Sequence, residues 1–195
     1  PPMRSWIAAL LTASAITLAP ASAEAASLQI MPINIEVPAP GAASKVTISN
    51  TGGDAANIQV RVFKWVQQNG KDELVETRDV IASPPAVKLG AGKKSVSRVV
   101  RVSKTPAADE ESYRLVIDEI APAPKAGDAG VGFSVRHSLP VFFTGKDDDV
   151  QLGWKASVKG GQLVLTASNS GDRRVRLSGL KIAGKGGKPI SFGAG

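Results

Sequence analysis

The chain has 195 residues, 43% of them apolar, and a formal net charge of +7. That composition suits one or two packed globular units and excludes a wholly disordered chain. With no cysteine there is no disulfide framework, no thiolate nucleophile and no cysteine-ligated metal.

The N-terminus reads as an export signal spanning 1–25. Arg4 precedes the apolar run WIAALLTASAITLA, and small residues end it, with cleavage expected after Ala23 or Ala25. The start is expected at Met3, after Pro1 and Pro2. A membrane anchor is the competing reading, but it needs about 20 apolar residues, and this run is shorter and reaches Pro20. No later segment is long and apolar enough to span a bilayer. A mature chain that is exported to the periplasm, without membrane insertion, is therefore expected.

From there the pattern is that of an all-β protein. Runs rich in Val, Ile and Thr predict strands over Lys45–Asn50, Asn57–Val66, Ser95–Val102 and Tyr113–Ile120. Turn clusters separate them: NTGGD at 50–54, QNGKD at 68–72, LGAG at 89–92 and APAPKAGDAG at 121–130. About seven strands at this spacing describe an immunoglobulin-like β-sandwich over 26–145.

Its last segment, GVGFSVRHSLPVFF at 130–143, places Val131, Phe133, Val135, Leu139, Val141 and Phe143 on alternate positions, hence on one strand face. The stripe is longer than the five or six residues of an ordinary strand. Alternation alone also fits any strand facing the interior of its own sandwich.

A boundary is expected in TGKDDDV at 144–150, where the contiguous carboxylates Asp147–Asp149 read as a solvated linker rather than a metal site. Residues 146–195 continue with strand and turn patterns but are too few for a stable sandwich alone, so they read as a partial second β-domain.

Catalytic patterns are lacking. His137 is the sole histidine and is expected on the face away from the apolar stripe; adjacent Ser138 points the other way and cannot pair with it as a nucleophile. No phosphate-binding loop and no histidine metal spacing occur. The basic residues are dispersed without interleaved exposed aromatics, so neither nucleic-acid binding nor any cofactor is expected, and the charge suits encounter with acidic partners.

Three strings together carry a resemblance: VIASPPAVKLGAGKKSVSRV at 80–99, ESYRLVIDEIAP at 111–122 and FSVRHSLPVFF at 133–143. They resemble the first domain of the periplasmic pilus chaperones of the chaperone-usher pathway, over about Ser27–Gly145. The RHSLPVFF ending is most similar to the branch serving archaic and spore-coat-U-like pili. The resemblance implies a boomerang-like pair of β-domains that binds, folds and caps pilin subunits by donor-strand complementation, a form of β-augmentation, and delivers them to an outer-membrane usher. It implies no enzymatic activity and no nucleotide. The short loop at 121–130 is similar to that of chaperones of polymeric pili.

On that pattern Val131, Phe133 and Val135 are the side chains donated to a subunit, while Leu139, Val141 and Phe143 continue into the chaperone's own core. An uncapped edge of this kind invites self-association when idle. The family's basic anchor for the subunit's C-terminal carboxylate falls here on Pro32 and Pro140, neither of which can serve. The cations that remain nearby are Arg98, Arg136 and Arg101, with Arg136 four residues before Pro140 and so on the same strand face. Arginine suits the role through its bidentate fork. Glu111 matches a family glutamate bridging the two domains, although its usual arginine partner falls on Thr144. The alternative function is an exported immunoglobulin-like structural or adhesive module that shares only the sandwich.

Overall fold

A computed structural model describes residues 28–120, 134–184 and 186–191. The strands are β1 (Leu28–Met31), β2 (Ile35–Pro38), β3 (Ala43–Asn50), β4 (Ala56–Gln68), β5 (Lys71–Glu76), β6 (Val80–Ser83) and β7 (Ala86–Leu89), followed by β8 (Lys94–Arg101), β9 (Glu111–Ile120) and β10 (Arg136–Thr144). Beyond them come β11 (Leu152–Lys159), β12 (Gln162–Asn169), β13 (Lys181–Ile182) and β14 (Ile190–Ser191). No helix occurs among the described residues.

Two sheets form the sandwich. One runs β1-β3-β8-β6; the other runs β2-β10-β9-β4-β5, with β7 also paired to β4. Alternation decides which side of each strand faces the other sheet. Val46 and Ile48 of β3, Val99 of β8, Ile58 and Val60 of β4, Leu115 and Ile117 of β9, and Val141 and Phe143 of β10 fill the interior. Tyr113 meets Phe143 edge-on, with ring centroids 6.0 Å apart and planes at 84°, the geometry that aligns ring edge with ring face.

The turns follow local chemistry. Asn69 and Gly70 join β4 to β5 with φ of 52° and 74°, both in the left-handed region that a two-residue hairpin turn with the twist of its strands requires. Buried Asn50 ties the following loop down, its Nδ2 donating to the carbonyls of Asp54 (2.7 Å) and Leu89 (3.0 Å) and its Oδ1 accepting from Gly52 N (3.0 Å).

The sequence expectation lacks the pair β1 and β2 that crosses between the sheets, the four-residue strands β6 and β7, and β5, whose side chains are exposed on both faces and so carry no alternation. Residues after Gly145 form the β11–β12 and β13–β14 hairpins. The export signal, the loop at 121–130, and Val131 and Phe133 lie outside the described residues.

Candidate functional site

Strand β10 is where the unusual pattern and an unusual position coincide. On one side it pairs antiparallel with β9 along Arg136–Phe143. On the other it pairs parallel with β2 only along Val141–Thr144. Upstream of Val141, therefore, that edge of β10 has no strand beside it among the described residues. Inward, Leu139, Val141 and Phe143 are buried. Val135, on the same face, is half-buried, and its carbonyl accepts from Glu119 N at 3.0 Å, so the pairing with β9 extends past the start of β10.

His137 is two residues before Leu139 and opposite Ile117, so it shares the apolar face rather than opposing it, which corrects the sequence expectation. Its Nε2 is buried without a hydrogen-bond partner among the described residues.

The outward face carries a band of charge and aromatic rings. Arg136 Nε donates to Asp118 Oδ1 at 2.5 Å and Arg61 Nη2 donates to Asp118 Oδ2 at 2.6 Å. Burial by itself would raise the Asp118 carboxyl, but the bonds from Arg136 and then Arg61 outweigh it and hold the group below its ordinary value.

The three arginines singled out in the sequence occupy three different settings. Arg98 lies on β8 between Lys45 of β3 and Ser83 of β6 and points outward from the other sheet. Arg98 and Arg136 thus stand on opposite exteriors of the sandwich and cannot grip one carboxylate. Arg101 holds Glu111 through two bonds, Nε to Oε2 at 2.8 Å and Nη2 to Oε1 at 2.7 Å. It also donates to the Thr105 carbonyl, which leaves its fork occupied.

Glu111 is accordingly fixed within the sandwich, not across the junction with the later hairpins. Tyr113 Oη also donates to its Oε2 at 3.1 Å. The hydrogen bonds from Arg101 hold the Glu111 carboxyl below its ordinary value, and the same bonds raise Arg101; burial pushes the Tyr113 phenol well up. Contact across the junction belongs to the neighbouring Glu110 and to Glu36. Arg174 pairs with both, and Arg173 Nη2 reaches Glu36 Oε2 at 3.3 Å. The Arg174 guanidinium also lies 3.2 Å from the centroid of the Phe142 ring.

The residue the sequence reading missed is Arg114. In the β9–β10 register it stands directly opposite Pro140, hence on the outward face at the position where the resemblance would put the anchor. Its guanidinium stacks 3.9 Å from the centroid of Trp65, and no carboxylate pairs with it among the described residues. Trp65 in turn packs with its ring centroid 6.1 Å from that of Phe142, and its Nε1 is buried without a hydrogen-bond partner among the described residues. The signal available in the sequence was weak: Arg114 alternates with Tyr113 and Leu115, but only the register between β9 and β10 places it against Pro140.

Asp147–Asp149 act locally. Gly145 N donates to Asp148 Oδ2 at 2.6 Å and Arg173 N donates to the Asp149 carbonyl at 3.1 Å. A Cβ on Gly145 would lie 2.6 Å from the Ala108 carbonyl and also strike Asp148, so the turn requires glycine. No metal-holding cluster of acidic or histidine side chains occurs among the described residues.

Comparisons with known proteins agree with this architecture. The chain is similar to a chain of the CsuC–CsuE chaperone–tip adhesion subunit pre-assembly complex from the archaic chaperone-usher Csu pili of Acinetobacter baumannii, at 31% identity and a TM-score of 0.64, covering 86% of this chain and 87% of that one. Similarity in fold alone extends to the class 5 fimbriae chaperone CfaA (13% identity, TM-score 0.66, 86% and 81% covered) and to the Salmonella enterica SafA pilin–SafB chaperone complex (17%, 0.55, 73% and 68%). No match is found among the curated proteins. Residues 27–146 match the model of the pili and flagellar-assembly chaperones, PapD N-terminal domain. The chain belongs to that family, which is a family of chaperones and not of enzymes.

Proposed function

We propose that the mature chain is a periplasmic chaperone that captures, folds and caps pilin subunits by donating the strand ending in β10, and then delivers them to an outer-membrane usher. Residues 26–145 form the donating domain and residues 146–195 belong to a second β-domain. The observation that carries the reading is the edge of β10 upstream of Val141, which has no strand beside it among the described residues, in line with an apolar stripe whose far half is already buried in the sandwich. A chain of this kind offers a partner two things at once: unpaired backbone groups for a ladder, and alternate apolar side chains for a core.

Val131, Phe133 and Val135 are the donated side chains. Each contributes roughly 1.5–3 kcal/mol when buried in a subunit that lacks a strand. Leu139, Val141 and Phe143 anchor the strand so that the donated half is held extended. Arg114 receives the subunit's terminal carboxylate: no carboxylate among the described residues competes for its outward fork, and stacking on Trp65 fixes its plane. Arg136, partly neutralised by Asp118, supplies a second positive charge along the same face. No bond is made or broken, so folding of the subunit around the donated strand is the source of free energy.

Capture of the Csu tip subunit and of pilin subunits from the host, co-expressed with the tagged mature chain in a periplasm, tests the reading. Wild type is expected to retain a subunit, while soluble Phe133→Ser and Arg114→Ala variants lose it. A wild type that folds and retains none favours the structural or adhesive module instead.

A further inference from the structure

The sheet β1-β3-β8-β6 turns one face into the core and the other to solvent, and its register fixes what the outer face carries. Lys94 stands in a row with Ser49 and Gln29; the next row is Met31, Thr47 and Val96; then come Lys45, Arg98 and Ser83, and last Ala43, Val100 and Ile81. Cationic and apolar rows therefore alternate, about 7 Å apart. Met31 is 61% exposed, and Val96 and Ile81 are each 48% exposed.

The four strands contain no aspartate or glutamate. Asp79, one residue before β6, is placed with Arg101 at the end of the sheet. Lys45 and Arg98 stand directly opposite each other in the β3–β8 register and both are exposed. Neither pairs with a carboxylate among the described residues. Like charges directly opposite each other destabilise a strand pair. The chain thus keeps an arrangement that costs it stability and that negative charge outside the face would relieve.

A flat face with such rows fits an extended anionic surface. Cations reach the headgroup phosphates, while the apolar side chains between them enter the layer beneath. A nucleic-acid backbone would match the cations but leave the apolar rows without contact. We infer that this face adsorbs the chain, without crossing, on a phospholipid membrane that bears anionic headgroups. Lys45, Lys94 and Arg98 meet the headgroups, and Met31, Val96 and Ile81 lie among them. The face belongs to the sheet opposite β10, so an adsorbed chain keeps the edge of β10 free.

Co-sedimentation of the purified mature chain with vesicles tests this, using phosphatidylcholine alone and phosphatidylcholine mixed with phosphatidylglycerol, each at low and high salt. Wild type is expected on the mixed vesicles only, with binding falling as salt rises. The double variant Lys45→Gln, Arg98→Gln is expected to bind about thirtyfold more weakly, to melt no lower than wild type and to capture a subunit as wild type does. A matched control, Lys155→Gln with Lys159→Gln on the exposed β11, loses the same charge and is expected to bind the vesicles as wild type does. No wild-type binding to the mixed vesicles, equal binding to both kinds, or an equal loss in the control overturns the inference. So does loss of subunit capture in the Lys45→Gln, Arg98→Gln variant, which would assign the face to a protein partner. A wild type that captures no subunit sinks strand donation alone, because the vesicle result does not depend on it.

Discussion

Replacing Phe143 by alanine separates the half of the stripe that belongs to this chain from the half that is donated. Phe143 is 1% exposed, sits between the two sheets and meets Tyr113 edge-on at 6.0 Å. Truncating a buried phenylalanine costs about 3–5 kcal/mol through lost transfer free energy and the cavity left behind, with roughly 0.5–1.5 kcal/mol of that tied to the ring pair. For a sandwich of this size a loss of 1 kcal/mol lowers the melting temperature by about 4 °C, so a drop of about 12–20 °C is expected. Urea unfolding followed by circular dichroism gives the same quantity at 25 °C. The parallel Phe133→Ser variant is expected to unfold with the wild type, within about 0.5 kcal/mol. A Phe143→Ala loss below about 1 kcal/mol, or a Phe133→Ser loss of several, would refute the division of the stripe between two cores.

Other consequences follow from the outward face and the junction. Arg114→Lys keeps the charge but loses the planar fork over Trp65, and is expected to restore capture only partly relative to Arg114→Ala in a binding titration. Glu111 has a lowered carboxyl in the fold, so its contribution is complete above the ordinary value of 4.5 and is lost as pH falls below it through the lowered folded value. Glu111→Gln should therefore flatten the acid side of the stability–pH profile measured by thermal melts, while leaving the profile above about pH 6 parallel to wild type. Arg174→Ala removes the pairs with Glu110 and Glu36 and the stack on Phe142, and is expected to speed hydrogen exchange in β11 and β12 while β3 and β8 stay protected.

The strands legible in the sequence were those whose pattern is local. Val46 and Ile48, Ile58 and Val60, and Leu139, Val141 and Phe143 alternate within their own segments and all prove to be core. The Asn69–Gly70 turn was equally readable, because its chemistry is fixed by two adjacent residues. What stayed hidden depends on pairing between distant segments. Arg98 and Arg136 look equivalent in sequence, yet one belongs to each sheet. Glu111 looks available until β8 brings Arg101 beside it. Arg114 gains its meaning from standing opposite Pro140, a register that no single strand encodes. The face of His137 was readable by counting two residues back from Leu139.

The most direct test of strand donation is a photoactivatable cross-linking residue in place of Phe133, with one in place of Ile81 on the opposite sheet as control, in cells co-expressing a captured subunit. The account predicts a cross-link from position 133 to residues of the subunit's interior and none from position 81. Equal labelling from both positions, or cross-links from 133 confined to the chain's own sandwich, would contradict it.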